Sequence, residues 1–492
     1  MKTSCSDDPF AGVQILTRAV EGAAHAAGGA RRELDCCLTR GGCSLPAQVR
    51  PFITWVLSEG RAGKRISSGF RVVVFFAHDL LQELFSLSAN MPASAVPKPD
   101  SEIHPTLSAP VSARSSGVRP IESRAPSVTE SILLWLIAAM VFILVITRFQ
   151  SFWHMVETFA DNKAYIGAAK AVLSRFGSYA DIKQFWGLPY LIAGLSLFHV
   201  PLRYGFLFVC TGSSLASMLL ARKLWGEWVA LFFALLNITW IQASYLGGSE
   251  PLFVLLLFLS FWQSRKGHWM SAAVLAALAT VVRPLGFLAL VGIGLTLLLR
   301  KEIWKAAACT GVAALIGLLY LLPFWIYLHD PLFQVHHYKQ EDWHGGWPVG
   351  WPFHGIVASL IHNREPWTNV ILTTGWIAFA VVGFCAMIAK LRQPRLLLQS
   401  GDTKGWRSLV KERPAEYLFA FSYLIFLFCY DSQWVRAEFP RFAIPVAPFL
   451  LVALERRLPK RRFVVYPLAV VSAVLGAASA VGLRNVMAAL HS

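Results

Sequence analysis

The chain has 492 residues, of which 55% are hydrophobic and 13% aromatic, and a mean hydropathy of +0.52. A soluble globular protein of this length is seldom so apolar, and the apolar residues fall in unbroken blocks of the length an α-helix needs to cross a bilayer. The blocks lack the alternation of a membrane β-barrel, and the excess of 45 Lys and Arg over 28 Asp and Glu gathers in short loops between them. That pattern is one of membrane orientation, with no nucleic-acid partner implied.

Residues 1–130 differ from the rest of the chain. They are rich in Ala, Gly, Ser and Arg, and the stretch from Met91 to Ser127 has the Pro/Ser composition of a disordered linker. This segment reads as an added domain or as a mis-started extension before Met91, and no function is assigned to it. "MKTSCSDDPFAGVQ" has acids where a signal peptide needs an apolar core. Cys36, Cys37 and Cys43 make no metal motif, and Cys210, Cys309, Cys385 and Cys429 lie in apolar runs as small hydrophobes.

From Ser131 the pattern is regular, beginning with the uncharged run "SILLWLIAAMVFILVIT". Spans are expected near 131–149, 203–221, 227–246, 250–264, 270–283, 285–299, 307–328, 368–389, 415–430, 441–455 and 463–483. The expected fold is therefore all-α: a polytopic transmembrane bundle of about eleven spans over residues 131–492. "ARKLWGE", "SRKGHW", "RKEIWK", the basic stretch 390–413 and "ERRLPKRR" fall on one side, the cytoplasmic one by their charge. The first outer loop (150–202) and a large outer loop (329–366) share the other side. Within the first loop, "AYIGAAKAVLSRF" places Tyr165, Ala169, Val172 and Phe176 at helical spacing. "QFWGLPYLIAGLSLF" reads as a second interfacial helix, with Trp186 and Tyr190 at headgroup level.

The chemistry-bearing residues gather on the outer side. Asp161 has two readings: an N-cap of the adjoining helix, or a general base for an acceptor hydroxyl. Glu157 is one turn earlier. Arg283 ends a run of apolar residues, at a depth where a cation is paired or functional. It reads as a partner for Glu250 or Asp161, or as the cation for a leaving phosphate. Glu250 opens a span between Ser249 and Pro251, where capping alone would explain it, and it is also a second acidic site candidate. In the large loop, His336, His337 and Lys339 are candidate phosphate contacts. Trp343, Trp347 and Trp351 suit the interface or a sugar face. His336, His337, Glu341, Asp342 and His344 match no metal motif, so no metal or other cofactor is assigned, although a divalent ion is conceivable. In "DSQWVRAEFPRFAIPVAPFLL", Arg436 and Arg441 flank Glu438. Each reads as a snorkelling helix-end cation or a second phosphate ligand, with Arg441 preferred.

The ordered series "ETFADNKAYIGAAKAVL", "FWGLPYLIAGLSLF", "LARKLWGEWVALFFALL", "YLGGSEPLFVLLLFLSF", "LAALATVVRPLGFLAL" and "PRFAIPVAPFLLVAL" resembles the GT-C class of integral-membrane glycosyltransferases. It is most similar to the bacterial families grouped with protein mannosyltransferases and the lipid A aminoarabinose transferase. The resemblance implies a polyprenyl-phosphate-linked sugar as donor, a lipid, glycan or protein acceptor, and inverting displacement at a site facing the periplasm of a bacterial inner membrane. It implies the base at Asp161, with Glu157 as substitute, and substrate contacts at Tyr165, Glu250 and Arg283. The first loop departs from the family by lacking an adjacent Asp-Glu pair. A transporter, or a flippase or ligase of lipid-linked glycans, is the rival reading; it would favour internal repeats and midplane charges, which the sequence does not display.

Overall fold

The computed structural model describes residues 125–149, 151–175, 184–341, 349–362, 367–392, 413–431 and 435–482. All belong to the second of the chain's two compact units, Gly117–Ser492. The expectation for residues 1–130 lies almost wholly outside them. The described residues are helical, apart from short 3₁₀ turns and one isolated bridge between Val349 and Tyr430.

The chain enters the bundle through a capping box. The Ser127 hydroxyl accepts from the Glu130 amide at 3.1 Å and the Glu130 carboxylate accepts from the Ser127 amide at 3.2 Å, which starts α1 (Val128–Phe149). Glu130 also meets Tyr466 and Arg462 of α18 (Arg462–Val481), against which α1 packs. The first loop then forms α2 (Phe152–Thr158), α3 (Ala160–Leu173) and α4 (Gly187–Ser196). α3 is buried on two sides. Asn162, Tyr165, Ile166 and Ala169 face the main core, while Ala168 and Ala171 join Trp186 and Phe324 in a second, smaller one. Lys163 and Lys170 stay exposed. The expectation of Trp186 at headgroup level is corrected here: its ring is fully buried against Phe324. Tyr190 is half-buried and packs edge-on to Trp186 and Tyr320. α3 and α4 are thus clamped by the bundle and do not float on its surface.

α5 (Leu202–Trp225) is a full span. The next expected span, 227–246, is two helices, α6 (Glu227–Leu235) and α7 (Ile238–Leu246), bent by 69°. Asn237 makes the break, because its side chain accepts from the Trp240 amide and caps α7 at 3.0 Å. α8 (Glu250–Arg265) runs away from the first loop, α9 (Trp269–Val282) returns, and α10 (Phe287–Leu299) runs away again. Pro284–Gly286 turns the chain between the last two. Two glycines let neighbours press on the end of α9: a Cβ on Gly286 would lie 2.5 Å from the Thr280 amide nitrogen, and one on Gly187 would lie 2.8 Å from Val281 backbone atoms. α11 (Ile303–Leu328) is little buried and leaves Leu315, Leu318, Leu319 and Trp325 exposed as a surface for lipid.

The large loop carries α12 (Phe333–Glu341) and α13 (His354–His362), and α14 (Trp367–Arg392) comes after it. α15 (Pro414–Cys429) leads to α16 (Val435–Phe442), a 3₁₀ turn at Ile444–Val446, and α17 (Ala447–Leu454). The span expected at 441–455 is therefore interrupted, at the 3₁₀ turn that contains Pro445. Among the described residues, five helices are long and apolar enough to cross a membrane, six if α6 and α7 are counted as one. Of the other expected spans, those at 270–283, 285–299 and 415–430 are shorter apolar helices. The protein is a polytopic, all-α integral membrane protein.

Gly187→Ala and Gly286→Ala each force a methyl into backbone rather than into a flexible side chain. Either should cost about 1–3 kcal/mol, read as a lower unfolding midpoint in detergent; an unchanged midpoint would show that α4 and the Pro284 turn can move off α9.

Candidate functional site

Helix direction sets the site. α8 starts, α9 ends and α16 lies at the same end of the bundle as α3, so Glu250, Arg283, Arg441 and Asp161 meet although 280 positions separate the first from the last. Glu250 is the centre. It is 1% exposed, and its carboxylate takes Arg283 Nη2 at 2.8 Å and the Nε of Arg441. Arg441 then extends Nη2 to Asp161 at 2.5 Å and Nη1 to Glu438 at 3.2 Å. Two guanidiniums and three carboxylates form one connected cluster at the edge of the apolar core. The Arg283 guanidinium also lies 5.7 Å from the Phe442 ring centroid.

The backbone explains why these side chains point here. α9 stops at Val282 and Arg283 is extended, with φ −147° and ψ 131°, because Pro284 disfavours helical geometry in the residue before it. Glu250 stands in the first turn of α8, after Ser249, whose side chain makes no capping bond; beyond any part in that helix start, its carboxylate goes to arginines. The Ser249 hydroxyl accepts from Tyr165 at 2.9 Å. Gly248 leaves room for the second oxygen of Glu250, which a Cβ would approach to 2.4 Å. Gly247 has φ +103°, and a Cβ there would also strike the Phe206 ring.

Asp161 is the second residue of α3. The cap position is Phe159, so the N-cap reading of Asp161 is also corrected. Its carboxylate is 29% exposed, which leaves it open on one side while Arg441 and Gln184 hold the other. The Arg441 guanidinium beside Asp161 keeps its carboxyl below the ordinary carboxylate range, against a desolvation that pushes it up.

Other candidates are placed differently. Glu157 pairs with Arg203 at 3.3 Å on the exposed surface and has no bond to the cluster among the described residues. Tyr165 is buried, stacked on Phe206 and bonded to Ser249; it braces the start of α8. In α12, His336 is exposed and bonds Asp330 at 2.9 Å, His337 is buried against Phe333, and Lys339 is exposed. Trp351 is 84% exposed. Trp343, Trp347, Asp342 and His344 lie outside the described residues, as do the side chains of Glu341 and Arg436. Among the described residues no three His, Cys, Asp or Glu side chains gather as a metal site.

Gln184 was not among the expected residues and is the joint of the site. Its amide donates to Asp161 at 3.5 Å, and its carbonyl accepts from Gln334 of α12 at 2.7 Å. The first loop and the large loop therefore share one face of the bundle. The far part of the large loop closes on the other flank, where Gly350 and Phe353 donate to the carbonyls of Cys429 and Phe428 at 2.8 and 2.6 Å. His354 meets Asp431 at 3.0 Å there, and α13 packs on α16, which carries Arg441. Asn162, donating to the Leu246 carbonyl at 2.6 Å, fixes α3 on α7. Extending the Tyr165 and Ala169 face back by three residues would have found it. Gln184 lies in a loop, where no periodicity marks it.

Among solved structures, the chain is similar to that of ArnT from Cupriavidus metallidurans bound to undecaprenyl phosphate. The two are 15% identical with a TM-score of 0.38, and the match covers 67% of this chain and 60% of that one. This chain thus spans less than two thirds of that protein's length. No family model and no curated protein matches.

Glu250→Gln removes the charge that two buried arginines share and should destabilise the protein on the order of 3–5 kcal/mol; Glu157→Gln should stay within about 0.5 kcal/mol. Equal melting shifts in detergent would mean that the buried cluster does not hold the bundle together. The sign of the Asp161 shift sets an acid dependence. A carboxylate lowered in the folded state stabilises fully above its unfolded value of about 3.9 and loses that contribution as pH falls through the lower folded one. The stability gap between the protein and Asp161→Asn should therefore begin to close below about pH 4, and a gap constant down to pH 2 would contradict the pairing.

Proposed function

We propose that the protein is a membrane glycosyltransferase that moves a sugar from a polyprenyl-phosphate donor to a lipid, glycan or protein acceptor at the non-cytoplasmic face, the periplasmic side of a bacterial inner membrane. The observation that supports this most is the cluster itself: a partly exposed carboxylate, Asp161, bonded to Arg441, which shares the buried Glu250 with Arg283, where the first loop and the large loop meet. In this reading a lipid carrying a charged phosphate and a water-exposed acceptor meet there.

In this reading Arg283 and Arg441 bind the donor's phosphate, and Glu250 and Glu438 orient the guanidiniums. Asp161 takes the proton of the acceptor hydroxyl. The acceptor oxygen bonds to the anomeric carbon as the bond from that carbon to the phosphate oxygen breaks, with inversion, and the electron pair leaves with the phosphate. A monophosphate is a good leaving group, so positioning, a base and two cations account for the catalysis required. The resting pair also has a consequence. Held by Arg441, Asp161 is a poor base; a donor phosphate that takes a share of Arg441 raises its basicity when the reaction can proceed.

Asp161→Asn should lower transfer of labelled sugar from a polyprenyl phosphate by about 10²–10⁴-fold while donor binding and the unfolding midpoint in detergent at pH 7 stay within a few degrees of the parent. Normal transfer by the variant would remove Asp161 as base. Arg283→Ala should weaken donor binding, and an unchanged donor affinity would take Arg283 out of the phosphate site.

A further inference from the structure

The opposite end of the bundle has a second charged site. α8 begins at Glu250 and ends at Arg265, so at about 1.5 Å per residue the two sites are roughly 22 Å apart along one helix. Arg265 holds the buried Glu416 through Nε and through Nη2 at 2.6 Å, and donates Nη1 to the Leu224 carbonyl at 2.7 Å. Arg300 and Arg413 line the same cavity. The Arg300 guanidinium stands 5.1 Å from the centroid of the Trp269 ring. Among the described residues neither Arg300 nor Arg413 forms an ion pair with a carboxylate. Among the described residues, three guanidiniums against one carboxylate leave an excess of two positive charges around about 90 Å³ of space. At about 30 Å³ per water that is room for a few waters or one phosphate group.

Trp269 has a second neighbour. A groove of about 530 Å³ between the starts of α9 and α11 is walled by Trp269, Met270, Trp304, Ala308 and Cys309, with His268, Ser271 and Lys305 also on its lining and Lys305 paired to Glu302. Trp304 is 88% exposed and Met270 44%. Gly267 and Trp269 line both cavities, so a polar, cationic hollow adjoins a mostly apolar channel at the first turns of α9 and α11. A free anion has no use for the channel, and an uncharged lipid has none for the arginines.

We propose that these two cavities together bind an anionic membrane lipid, its phosphate at Arg300 and Arg413 and an acyl chain in the groove between α9 and α11. The choice of occupant rests on charge complementarity: anionic headgroups attract Lys and Arg at the cytoplasmic leaflet, the side to which the basic loops assign this end. The site is distinct from the Asp161 cluster and does not depend on the reaction proposed for it.

The test is lipid retention by the full-length protein, reconstituted in nanodiscs of phosphatidylcholine with a minority of phosphatidylglycerol and released for native mass spectrometry. The parent should retain phosphatidylglycerol selectively. One arginine near an anionic surface contributes about fivefold, so Arg300→Gln with Arg413→Gln should lower retention on the order of 30-fold, with the unfolding midpoint in pure phosphatidylcholine unchanged. Ala308→Trp, at an exposed position, should fill the groove and lower retention with both arginines intact. Equal retention by the parent and the double variant overturns the proposal, and so does retention that Ala308→Trp leaves untouched. Displacement of phosphatidylglycerol by millimolar inorganic phosphate would make it an anion site without chain recognition, which also overturns it. If the double variant fails to fold, Arg300→Gln alone, at an exposed residue, carries the same test with about a fivefold loss.

Discussion

One carboxylate organises this bundle. Glu250 is buried at the first turn of α8, and an isolated charge there would cost several kcal/mol. It is held by Arg283 from the end of α9 and by Arg441 from α16, and Arg441 passes the connection to Asp161 on α3. These ion pairs bind the ends of three helices and the first loop to one level. The apolar packing between helices has no such selectivity, because Leu against Leu is much like Leu against lipid. The charges supply the register that the apolar faces leave undecided.

The same physics repeats at the other end of α8, where Arg265 grips Glu416 and a backbone carbonyl. Between these two anchors the helices need little more than close contact. Gly187 and Gly286 give it around the end of α9, and the Asn237 cap bends the chain between α6 and α7. The outer loops then close over the first anchor from two flanks, Gln334 through Gln184 on one and Gly350 and Phe353 on the other. The result is a cluster of charges buried on one side, with Asp161 left partly open on the other.

Much of this was legible in the residues. Long apolar runs carry the membrane fold, since crossing a bilayer is a demand on each segment separately. Charged residues at the margins of spans, Asp161, Glu250, Arg283 and Arg441, stood out for the same reason: a charge in that setting needs a cause. Glu157 stood out equally and turned out to be a surface partner of Arg203. Distance from the bilayer margin is visible in a sequence, but which of two neighbouring acids turns inward is not. Trp186 shows the same limit from the other side. An aromatic next to a short apolar helix suits the headgroup region, and it was the arrival of Phe324, well over a hundred residues later, that made its site a core.

What the sequence determined by itself is therefore local: the class of fold, the likeness to membrane glycosyltransferases, and the set of charges from which a site had to be made. Only the tertiary structure decided the pairing: that Arg441 joins Asp161 to Glu250, that Gln184 links the two outer loops, and that the span at 227–246 is broken. Hydropathy and charge act on each segment through its solvent and can be read one segment at a time. A buried ion pair exists only when two distant segments stop at the same depth, and that is a property of the packed bundle.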